Sequence, residues 1–104
     1  MNTETRDALK TIKEFWSEDK YCRFKLAVDC GGVSIEPTDE YATGWCISGV
    51  IEKLMVEKLI SPLSDPVQAL NEFCRKNYGT SLIGANDYRG YLTVIEAINK
   101  VLDS

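Results

Sequence analysis

Two segments in the first half of the chain repeat apolar residues at the three- and four-residue spacing of a helix. Residues 2–19 predict a first helix with one buried face, and Asn2 or Thr3 can cap its start. Its apolar face consists of Leu9, Ile12 and Trp16. Residues 38–59, which Thr38 can cap, are apolar most of the way round the helix. This second helix is therefore expected to be central and buried on more than one side.

Two further helices are predicted in the second half of the chain. Pro66 favours the first turn of a helix, and Ser64 or Asp65 can cap that helix just before it. Gly79 is a stop signal for this third helix, because glycine readily takes the left-handed conformation that ends helices. The last helix is expected to begin near Tyr91, and its apolar residues recur with the cleanest helical spacing in the chain.

The pattern between the first and second helices changes to an alternation with a period of two residues, which is typical of a strand. Residues 22–28 predict a strand, residues 29–32 a turn and residues 33–36 a return strand that closes a β-hairpin. The face expected to be buried consists of Cys22, Phe24, Leu26 and Val28. The sequence thus predicts a single globular domain over residues 1–104, of the α+β class and mainly helical, with about four helices and a small β-hairpin between the first and second.

The net negative charge of the chain disfavours some classes of binding partner. The chain of 104 residues holds 16 acidic and 12 basic residues and has a formal net charge of −4. A net acidic surface opposes binding to nucleic acids and to anionic lipids, which both require a cationic surface. No apolar stretch reaches the roughly 20 residues that span a bilayer, and the polar start of the chain lacks the apolar region of a signal peptide. We therefore expect a cytoplasmic protein without a nucleic-acid or membrane partner.

The four cysteines do not follow the spacing of a metal site. Cys22, Cys30, Cys46 and Cys74 are separated by 8, 16 and 28 residues, and the chain has no histidine. Structural zinc sites usually bring their ligands in close pairs, and thiols remain reduced in the cytoplasm. Glycine motifs that bind phosphate are also absent. The sequence therefore predicts no metal, no disulfide and no cofactor.

Cys46 stands beside Trp45 within the predicted second helix, where two interpretations compete. As a packing residue, it forms a row of small side chains with Ala42 and Gly49, at helical spacing, that lets another backbone approach. As a nucleophile, it would need to be a thiolate, and hence would need a nearby base or the positive end of a helix. Its expected position, well inside the helix, favours packing.

Residues 84–91 gather polar side chains immediately before the last helix. These side chains are Asn86, Asp87, Tyr88 and Arg89. Asn86 or Asp87 can cap the helix, or the cluster can bind a small polar ligand or the backbone of a partner. We also expect this turn to pack on the row of small residues, with the indole N–H of Trp45 donating a hydrogen bond to Asn86 or Asp87.

Two short motifs give the chain a resemblance to a known family. Residues 8–102 resemble the bacterial and phage family called domain of unknown function 6197. The shared order is a helix, a short hairpin, a helix that carries Trp-Cys, and an Asn-Asp pair before the last helix. The matching residues are Trp45, Cys46 and Gly49, and then Asn86, Asp87 and Gly90. The resemblance implies a phage or bacterial origin but no activity. It marks Trp45, Cys46, Asn86 and Asp87 as residues to consider together, in either a core contact or a shared pocket. The order Arg89-Gly90 reverses the Gly-Arg-Thr start of the last helix that this family often shows, so no role for Arg89 follows from it.

Two functions are open at this point. The first is a small non-enzymatic binding protein, phage-encoded or bacterial, that binds a host protein or sequesters a small ligand, because the chain has a consistent core and no recognisable catalytic set. The second is a small enzyme that uses Cys46 or Asp87 in a pocket formed with Trp45 and Asn86. The candidate site residues are Trp45, Cys46, Asn86, Asp87, Tyr88 and Arg89. The five tyrosines, a residue type common at interfaces, also suit a homo-oligomer.

Overall fold

The computed structural model describes residues 1–104 as five α-helices and one small antiparallel sheet. In chain order the elements are α1 (Thr3–Phe15), β1 (Ala27–Val28), β2 (Gly44–Trp45), α2 (Ile47–Val56), α3 (Pro66–Tyr78), α4 (Leu82–Gly84) and α5 (Tyr91–Asp103). A 3₁₀ turn, Glu18–Lys20, follows α1, and a π-helical segment, Ala85–Arg89, continues α4. The predicted class, mainly helical α+β with a hairpin between the first two helices, is confirmed. None of these helices has both the length and the apolar character that crossing a lipid bilayer requires.

The first helix is capped as predicted but ends earlier than predicted. The Oδ1 atom of Asn2 accepts a hydrogen bond of 2.8 Å from the backbone N–H of Thr5, so Asn2 has the expected capping role. α1 ends at Phe15 because Trp16 takes an extended backbone conformation. The indole N–H of Trp16 donates to the backbone oxygen of Trp45, at 3.0 Å, and this bond fixes the chain after α1 against β2.

The hairpin lies where the sequence predicts it, but its second strand is a different one. β1 pairs with β2 in an antiparallel register that places Ala27 opposite Trp45. The expected return strand, residues 33–36, contributes only a single bridge, between Ser34 and Val28. A second, later segment of the chain therefore provides the main partner of β1.

The predicted first strand also lacks the buried face that its alternation predicts. Ala27 is fully buried, whereas the side chains of Phe24 and Leu26 are 61% and 46% exposed. The alternation fails because the chain bends over residues 23–26, where Phe24 has a positive φ of 67°. A two-residue period of burial holds only along an extended strand.

α2 begins at Ile47, well after its predicted start, because other interactions hold the residues before it. The carboxylate of Asp39 accepts a hydrogen bond of 2.8 Å from the backbone N–H of Tyr41, which folds a local turn. β2 then pairs with β1, so its residues are extended and not helical. The prediction that Thr38 caps this helix is therefore wrong.

The predicted row of small residues does not form, because Ala42 lies before β2 and Cys46 is the N-cap residue of α2. Gly49 alone receives a close backbone contact. A Cβ atom added to Gly49 would lie 1.9 Å from the backbone oxygen of Leu26, so this position excludes any larger residue. The backbone that approaches Gly49 belongs to the segment before β1 and not, as expected, to the turn before the last helix.

α3 and α5 follow the predicted signals. The side chain of Asp65 caps α3 by accepting a backbone N–H at 3.2 Å, and Pro66 occupies the first turn. Gly79 ends this helix with a φ of 69°, and the last helix starts at Tyr91. Residues 82–89, by contrast, are helical and do not form the turn expected before the last helix.

The core lies between α5 and the two long helices that it contacts, α1 and α3, with α2 packed beside them. Large side chains from all four of these helices are fully buried: Leu9, Ile12, Val50, Leu54, Leu70, Val94 and Ile98. The buried faces that the sequence predicts for the first and last helices are thus confirmed. The shorter α4 and the segment after it lie against this core and carry the residues of the site.

Gly49→Ala is expected to destabilise the protein by about 1–3 kcal/mol or more, because the added methyl group collides with the backbone of Leu26. Chemical denaturation measures the free energy of unfolding. Glu52→Ala, at an exposed position of the same helix, is the matched control and should stay within about 0.5 kcal/mol of the parent protein. A Gly49→Ala protein as stable as the control would contradict the close contact.

Candidate binding site

A cavity of about 150 Å³ lies where the start of α2, the bend at residues 24–26 and the π-helical segment meet. Its apolar wall is formed by Phe24, Leu26, Ile47 and Ile83. The other lining residues are Lys25, Cys46, Ser48, Asn86 and Asp87. The cavity therefore brings together three of the residues that the sequence singles out: Cys46, Asn86 and Asp87.

Asn86 joins the elements that surround the cavity. Its side chain is almost completely buried. The Oδ1 atom accepts a hydrogen bond of 3.0 Å from the backbone N–H of Ile47, the first residue of α2. The Nδ2 atom donates to the backbone oxygen of Cys22 at 3.2 Å and to Asp87 at 3.0 Å, and the backbone oxygen of Asn86 accepts from the hydroxyl of Tyr21. Every polar atom of this buried amide thus has a partner, as buried polar groups require.

Asp87 holds the bend in front of the cavity. Its Oδ1 atom accepts a hydrogen bond of 2.9 Å from the backbone N–H of Phe24, besides the one from Asn86. Its Oδ2 atom has no hydrogen bond within the protein, and the carboxylate makes no ion pair. Neither Asn86 nor Asp87 caps the last helix as predicted, because Gly90 is the N-cap residue and has no side chain to do so.

Phe24 combines a strained backbone with an exposed side chain. A positive φ is rare for a bulky residue and costs on the order of 1–3 kcal/mol. Its ring meets the ring of Tyr88 edge to face, with 5.5 Å between the ring centroids. Tyr88 is itself 79% exposed. Tyr88 therefore extends the cavity rim without lining the cavity, and the two aromatic rings form one exposed surface.

Cys46 occupies the start of α2, and the prediction of a position well inside the helix is wrong. Its Sγ atom accepts a hydrogen bond of 3.3 Å from the backbone N–H of Gly49, so the thiol caps the helix. Burial raises the pKa of the Cys46 thiol, although the backbone N–H groups of Gly49 and Ser48 act in the opposite direction. The thiol is therefore protonated at neutral pH, which is the unreactive form.

Cys22 lies beside Cys46 and behaves in the same way. Its thiol donates to the backbone oxygen of Lys25 at 3.3 Å. Burial, together with the neighbouring Cys46, raises the pKa of Cys22 to about 11. Two adjacent thiols that both resist ionisation make a poor nucleophilic site, which weighs against the enzyme hypothesis.

Trp45 lies outside the cavity, because its side chain leaves β2 on the side of α1. Its ring packs edge to face on Phe15, with centroids 5.2 Å apart. Its indole N–H donates to the backbone oxygen of Pro37 at 2.8 Å, so the predicted bond to Asn86 or Asp87 is wrong. The backbone of the Trp-Cys motif nevertheless lies next to the Asn-Asp motif, as expected.

Arg89 also points away from the cavity. Its guanidinium carbon lies 5.1 Å from the ring centroid of Tyr78, and its Nη2 atom donates to the backbone oxygen of the same residue at 3.4 Å. These contacts bind the end of the π-helical segment to α3. Arg89 therefore has a structural contact in place of the predicted part in a polar cluster.

Three apolar residues of the cavity, Phe24, Leu26 and Ile83, are missing from the sequence-based site. Phe24 and Leu26 were expected in the core, because the alternation of residues 22–28 predicts a strand. Ile83 lies three residues before Asn86, a spacing that places both on one face of a helix. If residues 82–89 had been interpreted as a helix, this spacing would have predicted that Ile83 lies beside Asn86.

No three Cys, Asp or Glu side chains are grouped so that they could hold a metal ion, and all four cysteines are free thiols.

Comparisons of the chain with protein-family models, curated proteins and solved structures find no match. The resemblance to the bacterial and phage family therefore stays a prediction. The geometry of the cavity carries the functional interpretation that follows.

Asn86→Ala is expected to lower the free energy of unfolding by about 2–4 kcal/mol, because it leaves the N–H of Ile47 and the backbone oxygen of Cys22 without their partner. Chemical denaturation provides the measurement. Asn77→Ala is the matched control, since the exposed Asn77 makes only one local hydrogen bond, to Phe73. Equal effects of the two substitutions would contradict the central role of Asn86.

Stability is expected to fall between pH 9 and about pH 11 through the ionisation of Cys22. The thiol ionises near its ordinary pKa of 9.0 in the unfolded chain but only at about 11 in the folded protein. The folded state therefore holds its proton more tightly, and stability that is complete below pH 9 is lost as the pH rises through this window. Denaturant titrations at a series of pH values provide the measurement.

Cys22→Ser removes this titration and should reduce the loss of stability between pH 9 and about pH 11, leaving the part that the raised pKa of the Cys46 thiol contributes. Identical pH profiles for the parent protein and Cys22→Ser would show that the Cys22 thiol is not shielded from water.

Proposed function

We propose that this protein is a non-enzymatic binding module that holds a partner protein by taking one of its side chains into the cavity. The single observation that carries this proposal is the exposed apolar rim around a preformed cavity. Phe24, Leu26 and Ile83 line the cavity and are 61%, 46% and 59% exposed. Clustered apolar exposure of this kind is typical of an interaction surface.

The size of the cavity favours a partner protein over a free small ligand. Pockets for small molecules usually enclose about 300–1,000 Å³, whereas this cavity encloses about 150 Å³. An engineered apolar cavity of about the same volume binds benzene. The space therefore suits one side chain, and the exposed rim supplies the remaining contact area that a protein partner would cover.

The rim is also preorganised, which supports a binding role. Asp87 accepts the N–H of Phe24 and so keeps that residue in the left-handed conformation. Strained backbone conformations of this kind cluster at functional sites. A rigid aromatic side chain loses little entropy on binding, so holding the ring of Phe24 and its neighbour Tyr88 in place favours association.

The enzyme alternative has less support from the same residues. The raised pKa of Cys46 keeps its thiol protonated, and its sulfur is already committed to the helix cap. Asp87 is occupied on one oxygen by the backbone of the bend. We therefore assign these residues to the wall of a binding cavity. The partner that the resemblance suggests is a bacterial host protein.

Phe24→Gly separates binding from stability. Glycine accepts a positive φ without strain, so the substitution should keep or increase the free energy of unfolding. It also removes the rim aromatic and should reduce recovery of a bound protein from bacterial lysate by at least about tenfold, which corresponds to about 1.4 kcal/mol. Quantitative mass spectrometry of the captured proteins gives the measurement.

Leu63→Ala is the control, because Leu63 is 72% exposed but follows the opposite end of α2. It should capture the same protein as the parent chain. Recovery that is equal for the parent, Phe24→Gly and Leu63→Ala proteins would contradict a partner at the cavity.

A further inference from the structure

We propose that the cavity selects a tyrosine side chain of the partner protein, whose ring fills the apolar space and whose hydroxyl donates a hydrogen bond to the free Oδ2 oxygen of Asp87. This inference rests on the proposed function and names the group that the cavity binds. The volume of the cavity, the charges of its lining residues and their free hydrogen-bonding groups each limit which side chain can bind.

The volume of the cavity matches a single six-membered aromatic ring of the partner. The cavity encloses about 150 Å³ and has an apolar wall that includes Leu26, Ile47 and Ile83. A cavity of this size holds benzene, so its volume matches a phenyl or phenol ring. An aromatic occupant also suits the rings of Phe24 and Tyr88 at the rim, because aromatic pairs attract in edge-to-face arrangements.

Charge selects a neutral occupant. A carboxylate would face Asp87, whose negative charge no ion pair neutralises. A cation would meet the positive end of the α2 helix, where Cys46, Ile47 and Ser48 line the cavity. It would also meet the charge of Lys25, a lining residue whose ammonium donates to the backbone oxygen of Gly32 at 2.9 Å. Each kind of ion is therefore repelled by one side of the cavity, whereas an uncharged polar group is repelled by neither side.

Hydrogen bonding distinguishes tyrosine from phenylalanine. The Oδ1 atom of Asp87 already accepts two hydrogen bonds, but Oδ2 accepts none. The hydroxyl of Ser48, which also lines the cavity, has no partner within the protein. A phenol hydroxyl both donates and accepts, so it can pair with Asp87 and Ser48 at once, whereas a phenyl ring would bury these polar groups without partners.

Binding of small aromatic molecules to the intact protein tests the inference. The ¹⁵N-labelled chain is titrated with p-cresol, toluene and 4-methylanisole, and amide chemical shifts are followed by NMR. We expect p-cresol to shift the amides of Cys46, Ser48 and Asp87 and to bind at least about tenfold more tightly than toluene or 4-methylanisole, because only p-cresol can donate to the carboxylate.

Asp87→Asn should remove this preference while keeping the fold. The amide oxygen can still accept the N–H of Phe24, but an N–H group replaces the free carboxylate oxygen. p-Cresol and 4-methylanisole should then bind equally, because the oxygen of either molecule can accept from that N–H group. Asp39→Asn is the matched control, because Asp39 bonds only within its own turn, outside the cavity, and the preference for p-cresol should persist.

The outcomes separate this inference from the proposed function. Equal binding of p-cresol and toluene at the cavity by the parent protein would overturn the selection of tyrosine, and so would the absence of shifts at the three amides. If capture from lysate still depends on Phe24 in either case, the proposed function stands. If Tyr88→Phe abolishes self-association measured by sedimentation velocity, the occupant is Tyr88 of a second copy, and the assignment to a different partner protein is overturned.

Discussion

The buried side chain of Asn86 is the interaction on which the cavity depends, because it joins three parts of the chain that are distant in sequence. It accepts from the N–H of Ile47 at the start of α2 and donates to the backbone oxygen of Cys22. Left unpaired in the interior, such groups cost about 1–3 kcal/mol each. A polar network with all its partners present specifies one arrangement of its segments. The bend before β1 therefore packs against α2 closely enough that residue 49 has to be glycine.

The residues around the cavity include features that do not stabilise the fold. Phe24 is held in a left-handed conformation by its hydrogen bond to Asp87, and its ring remains largely exposed. Neither feature favours folding, since strain lowers stability and apolar surface that stays in contact with water contributes none. The large buried side chains of the four long helices supply the compensating stability. The strained and exposed residues of the cavity rim thus add little to stability but are suited to contact a partner.

Cys46 shows how two opposing effects decide the chemistry of one thiol. The start of a helix favours a thiolate, because the backbone N–H groups stabilise negative charge. Burial disfavours the charged form, and here it is the larger effect, so the pKa of the thiol rises. The sequence singled out Cys46, Asn86 and Asp87 correctly as neighbours, but it assigned Cys46 to the wrong part of α2 and Trp45 to the wrong side of β2. Those details depend on which segment pairs with β1.

The sequence by itself determined the elements whose signals are local. Asp65, Pro66 and Gly79 delimit α3 through contacts within a few residues, and the apolar periods of α1 and α5 require only their own side chains. Only the tertiary structure decided the start of α2, the buried face of the bend before β1 and the hydrogen-bond partners of Asn86. Each of these depends on a backbone group many residues away along the chain, such as the oxygen of Cys22 for Asn86. A pattern of neighbouring residues cannot specify such a partner, because the free energy of the contact exists only once the chain has brought both groups together.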